Sequence, residues 1–172
     1  MKKIVLTYGL IGGGISVIGY LITIFTGHTN MQISMLIGFA SMLAAFSLIF
    51  VATAKYRNAH GGVVSFGSAF QIGLYIALIA STIYVLVWLY YLYNIYPDFA
   101  EKFSAQYLEG LKAAGEPESV IAEATTEMNQ FVIDYKKPWY VIIKTYEEIL
   151  PLGIVVSLIS ALILKRKPKI QQ

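Results

Sequence analysis

Long apolar runs alternate with short basic clusters along this chain, and a single polar segment interrupts them before the last run. Residues 4–54 carry no formal charge, and neither do residues 58–97. A membrane-crossing helix needs roughly 20 apolar residues, each rising about 1.5 Å. The first run therefore has room for two spans, divided by the polar turn Gly27-His28-Thr29-Asn30. The pattern predicts span 1 over 4–26, span 2 over 31–54, span 3 over 66–95 and span 4 over 145–164. The small, polar stretch from Gly61 to Ser68 predicts a loop, with Ser65 as N-cap of the third helix.

Between spans 3 and 4 the periodicity is that of amphipathic helices. Phe99, Phe103, Tyr107/Leu108 and Leu111 recur at helical spacing; Gly115-Glu116-Pro117 interrupts; then Val120/Ile121, Ala124, Met128 and Phe131/Val132 repeat it. The spacing predicts helices over 98–114 and 117–135, paired as an antiparallel hairpin within an insert at 97–137. Pro117 suits the first turn of the second helix. The expected fold is an all-α integral membrane protein, a single domain over 1–172. It has four transmembrane helices in a bundle and an extracytoplasmic hairpin between the third and fourth.

Composition agrees. The chain has 172 residues, 57% hydrophobic and 13% charged, about half the charged share of a soluble domain. Charge then adds an orientation. All ten acids fall between Asp98 and Glu148, whereas Lys2, Lys3, Lys55, Arg57, Lys165, Arg166, Lys167 and Lys169 lie outside that window with no acid among them. Lysine and arginine favour the cytoplasmic flanks of spans. With four spans the three basic clusters share one side, so these residues are read as topology determinants. Both termini and the 55–62 loop are expected in the cytoplasm, and the acidic insert outside. The first apolar run is too long for a cleaved signal peptide and lacks a small-residue cleavage site. The basic clusters are too short and dispersed for nucleic acid; they set topology and touch anionic lipid.

Each predicted span carries a small-residue seam. Gly9/Gly13 form a Gly-x-x-x-Gly pair extended by Gly12/Ser16; span 2 has Ser34/Gly38, Ala40/Ala44 and Ser41/Ala45. Span 3 has the ridge Ala69-Gly73-Ala77-Ser81, and span 4 has Gly153-Ser157-Ala161. Such residues let helix backbones approach closely in lipid. They predict packing within the bundle, the alternative being a homo-oligomer or a membrane-protein partner.

Candidate chemistry is sparse. Cysteine is absent and the two histidines lie apart, so no metal, no cofactor and no catalytic residue is expected. His60 is expected in solvent. Spans 1 to 3 hold no acid, which argues against a proton relay. Span 4 begins near Glu147 and Glu148, four and three residues before Pro151. Proline cannot donate to the carbonyl four residues back, so a helix kink is expected there. The carboxylates, with the aromatic end of span 3 (Trp88, Tyr90, Tyr91), outline a candidate outer vestibule for a small molecule or lipid headgroup. Belt aromatics and headgroup-facing glutamates are the simpler reading.

Several blocks of residues form a recognisable pattern along the chain. Lys2-Lys3 precedes Tyr8-Gly9, and Tyr56-Arg57 precedes Gly61-Gly62. Ser65-Phe66-Gly67-x-Ala69-Phe70-x-x-Gly73 is followed by Tyr96-Pro97-Asp98-Phe99 and by Ala161-x-Ile163-x-Lys165-Arg166-Lys167. Over nearly its whole length the chain resembles the small bacterial membrane proteins of domain-of-unknown-function family 4199. The resemblance implies four spans and an outer insert, and it implies no activity and no catalytic residues.

Overall fold

The computed structural model of the protein describes residues 1–26 and 31–166, apart from the side chains of residues 20, 23–26, 31, 32 and 34. The expected 27–30 turn, the side chain of Ser34, Lys167 and Lys169 lie outside the described residues. Among those residues the protein is all-helical: α1 (Lys2–Thr26), α2 (Met31–Ala59), α3 (Phe66–Asn94), α4 (Phe99–Ala113), α5 (Glu118–Tyr135) and α6 (Pro138–Leu164). Three stretches within them are long and apolar enough to cross a membrane: Met35–Ala59, Phe66–Asn94 and Pro138–Leu164.

The helix ends follow local chemistry. α2 runs beyond 54, through Lys55 and Arg57, because both are good helix formers whose long stems reach water from a helix end. It stops where Gly61 and Gly62 turn to positive φ (67° and 80°), with the Gly62 N–H donating to the Arg57 carbonyl at 3.0 Å. Ser65 caps α3, its Oγ accepting from the Ser68 N–H at 3.1 Å. α4 ends in a Schellman motif: the Gly115 N–H reaches the Lys112 carbonyl at 3.1 Å and the Glu116 N–H the Leu111 carbonyl at 3.2 Å. Pro117 stands at the N-cap of α5 with extended ψ of 147°, one residue before the first turn. α6 begins at Pro138, seven residues before the expected start of the fourth span, and runs through Pro151 as one helix. Its first six residues, Pro138 to Ile143, are uncharged, and Lys144, Glu147 and Glu148 further along do not interrupt it.

The chain divides into two compact units, Met1–Leu86 with Tyr146–Gln172, and Val87–Thr145. In the first, four helix segments pack through small residues. A Cβ built on Gly73 of α3 would lie 2.6 Å from Ser157 Oγ and 2.7 Å from Ser157 Cβ of α6. One built on Gly153 of α6 would lie 2.7 Å from Ala77 Cβ of α3 and 3.0 Å from Phe46 of α2. Gly9 and Gly13 of α1 face Ile79 and Ile83 of α3, and Gly19 meets Gly38 and Ser41 of α2. Phe46, Ile49, Ile72, Ile76 and Ile149 fill the space these approaches leave. By these contacts α1 runs antiparallel to α2 and parallel to α3, and α6 runs antiparallel to α3.

The second unit holds α4, α5 and the flanking ends of α3 and α6. α4 and α5 form the expected hairpin. Its core is a chain of rings: Phe99 touches Trp88, Tyr96, Phe103 and Tyr135, with centroids 4.9, 6.0, 5.7 and 5.6 Å away. Phe103 and Tyr135 both meet Phe131, at 5.4 and 4.6 Å.

Candidate functional site

Glu147 and Glu148 belong to the first unit and Trp88, Tyr90 and Tyr91 to the second. On α6 both glutamates are exposed, beside buried Ile149. They stand nine and ten residues beyond Pro138, about 14 Å along the helix, inside the Pro138–Leu164 stretch. Their neighbour Tyr146 shares a 2.8 Å hydrogen bond with Thr82 of α3.

In the second unit the three aromatics have different surroundings. Trp88 is only 8% exposed, with the edge of Phe99 against its ring, so it is part of the ring core. Tyr91 is half-buried between Trp88 and Tyr96, at 5.8 and 6.0 Å. Tyr90 is 64% exposed.

The hairpin carries features that sequence reasoning passed over. A pocket of about 140 Å³ is lined by Leu92, Tyr93, Ala100 and Tyr135 and flanked by Glu101 and Lys136, which pair at 3.3 Å. Beside α5 runs an open groove of about 560 Å³ lined by Glu127, Met128, Phe131, Asp134 and Tyr140. Its residues recur on α5 at spacings of three and four, the one signal that could have revealed it. The groove sets the carboxylates of Glu127 and Asp134 beside apolar and aromatic side chains. Among the described residues no group of three or more His, Asp or Glu side chains is placed to hold a metal.

Asp134 sits in that groove between two donors. Lys137 Nζ reaches one carboxylate oxygen at 2.7 Å and Gln130 Nε2 the other at 2.9 Å. The Lys137 bond first, then the Gln130 bond, holds the Asp134 carboxyl below the usual carboxylate range. A depressed folded pKa means that the ionised form is favoured by folding. That contribution is present above the ordinary carboxylate pKa and is lost as pH falls through the folded value. Lys137→Gln is expected to raise the Asp134 midpoint toward the ordinary value, followed by carboxyl-carbon NMR of the intact protein. An unchanged midpoint would mean that the pair does not form.

At the other extreme of the sequence, three distant basic segments come together in the first unit. Arg57 Nη1 donates to the Leu164 carbonyl at 3.5 Å. Val64 and Arg166 form an antiparallel bridge, with N–H to carbonyl distances of 3.2 and 2.9 Å. Lys55 Nζ stands 5.8 Å over the Tyr8 ring. Lys2, Lys3, Lys55, Lys165 and Arg166 are exposed and Arg57 is half-buried.

Apolar helices of membrane-crossing length, joined in one chain to a polar, acidic helical hairpin, define an α-helical protein of membrane type. The chain belongs to the family described as protein of unknown function (DUF4199), which matches residues 7–166. No curated protein and no solved structure matches it.

Proposed function

We propose that this is a multi-pass protein of the bacterial inner membrane that binds a partner through its acidic hairpin and catalyses no reaction. In this reading α1, α2, α3 and α6 cross the bilayer as a four-helix bundle. Both termini and the turn after α2 lie in the cytoplasm, and α4–α5 lies outside. Charge segregation carries the proposal: no acid occurs before Asp98 or after Glu148, and eight acids lie between Asp98 and Asp134. α1 joins the other spans on length and sequence, since its 25 residues hold no charge after Lys3. The bilayer is its first partner. The second is another membrane protein or a second copy; nucleic acid is not one.

Reporter fusions after residues 58, 116 and 172 test the topology. External activity at 116 with cytoplasmic activity at 58 and 172 is expected, and cytoplasmic activity at 116 would overturn it. Binding is tested by photo-crosslinking residues placed at Val120, Glu127 and Ile133 in intact cells. A discrete adduct is expected, and unmodified protein at all three sites would sink the proposal.

A second reading rests on Glu147 and Glu148. Two adjacent carboxylates within a membrane-length helix are expensive and usually functional. They would bind a cation or basic ligand in an outer vestibule. Glu147→Gln/Glu148→Gln should then abolish a phenotype while membrane abundance stays unchanged; a retained phenotype excludes this reading.

A further inference from the structure

We propose that the basic end of the first unit is a preorganised site for the phosphodiester headgroup of an anionic phospholipid, beyond the hairpin function above. Four helix ends meet there. α1 is antiparallel to α2, because Gly12 faces Ala45 and Gly19 faces Gly38, so Lys2 and Lys3 lie at the same end as Lys55 and Arg57. α2 runs parallel to α6 through Phe46 and Gly153, and the Arg57 bond to the Leu164 carbonyl fixes their ends together. Lys165 and Arg166 follow directly. The six cations come from segments more than fifty residues apart in the chain, and no acid stands among them, because none occurs before Asp98 or after Glu148.

This differs from a flexible basic tail, whose attraction to a charged membrane is diffuse and salt-sensitive. Here Arg57 is held by its bond to the Leu164 carbonyl and Lys55 stands over the Tyr8 ring. The Val64–Arg166 bridge holds Arg166 by its backbone, and the residue is exposed. The Gly61–Gly62 turn and the stacked Tyr56 and His60 rings, with centroids 4.0 Å apart, shape the loop leading to Val64. A guanidinium pairs with two phosphate oxygens at once, and lysines beside it add point charges. The site lies at the ends of apolar helices of membrane length, where a phospholipid phosphate sits while its acyl chains lie along the spans. A free phosphate lacks those chains and so lacks most of the contact.

The test uses the full chain purified in mild detergent. Native mass spectrometry reads retained lipid after titration with phosphatidylglycerol, with phosphatidylcholine, and with inorganic phosphate. The wild type is expected to retain phosphatidylglycerol over phosphatidylcholine by at least about tenfold. Lys165→Gln/Arg166→Gln keeps the backbone bridge and is expected to lose most of that preference. Adding Arg57→Gln should remove the rest, and the pair of variants keeps the test open if Arg57 is needed for folding. Lys112→Gln, on the hairpin, should change nothing. Equal retention of the two lipids, a preference unchanged in the double variant, or displacement of lipid by equimolar inorganic phosphate would each overturn the proposal.

Discussion

Gly73→Ala is expected to destabilise the membrane helices by about 2 kcal/mol, within the range for overpacking a closely fitted core. The new methyl would meet Ser157 Oγ and Cβ at 2.6 and 2.7 Å and Ile49 Cγ2 at 2.9 Å. A Cβ is fixed to its backbone, so side-chain rotation gives no relief and the α3 and α6 backbones must separate. Separation would also open the contact one turn away, where Gly153 meets Ala77. Alanine otherwise favours a helix over glycine by roughly 1 kcal/mol, so the loss is net of that gain. Gly14→Ala is the control: a Cβ there meets nothing within 4 Å, and stability should hold or rise slightly. Ser157→Gly in the Gly73→Ala background should restore part of the loss, and comparison with Ser157→Gly alone gives the coupling that identifies the contact. Thermal unfolding in detergent measures all five proteins. A Gly73→Ala variant as stable as the wild type would show that the two helices do not approach as described.

This contact was legible in the sequence in a limited sense. The ridges Ala69-Gly73-Ala77-Ser81 and Gly153-Ser157-Ala161 stand out by their four-residue spacing, which places each on one helix face. Which ridge meets which is a property of three dimensions. Here they meet each other, Gly73 against Ser157 and Ala77 against Gly153. The hairpin was equally readable, since its stripe and its Gly-Glu-Pro break survive as α4, the turn and α5. Helix ends were less so. A bilayer's width of about 20 residues counted back from Leu164 puts the start of the fourth span near Thr145, yet α6 continues back to Pro138 because the backbone hydrogen bonds of a helix do not stop at the charges they cross. That extension places Glu147 and Glu148 well inside a helix rather than at its mouth. Nor does spacing announce the pairing of Arg57 with the Leu164 carbonyl, because 107 residues separate them. The same holds for the fully buried hydroxyls of Thr53, Ser81 and Ser160, which have no hydrogen-bond partner among the described residues. In the sequence they are simply small residues on apolar helices.

The aromatic candidates illustrate the other limit. A run such as Trp88 to Tyr96 reads alike whether its rings face lipid, ligand or one another, and only the contacts separate these cases. Trp88 packs under Phe99, which leads to the second large effect. Phe99→Ala is expected to cost the hairpin unit about 3 kcal/mol, the lower range for deleting a buried phenylalanine, because Phe99 is half-buried yet is the one ring in contact with Trp88, Tyr96, Phe103 and Tyr135 together. Removing it leaves α4 with few apolar anchors, since its only buried residues are Ala100 and Ser104. The exposed ion pairs Lys102–Asp98 and Lys136–Glu101 are each worth under about 1 kcal/mol and cannot compensate. Hydrogen exchange should therefore speed up across α4 and α5 while the amides around Gly73 and Gly153 stay protected. Phe99→Leu keeps much of the volume and should lose only about 1 kcal/mol, the share due to ring–ring geometry. If Phe99→Ala instead left hairpin exchange unchanged, the ring chain would not be what holds α4 to α5, and the groove beside Phe131 and Tyr140 would have to be stabilised by something else.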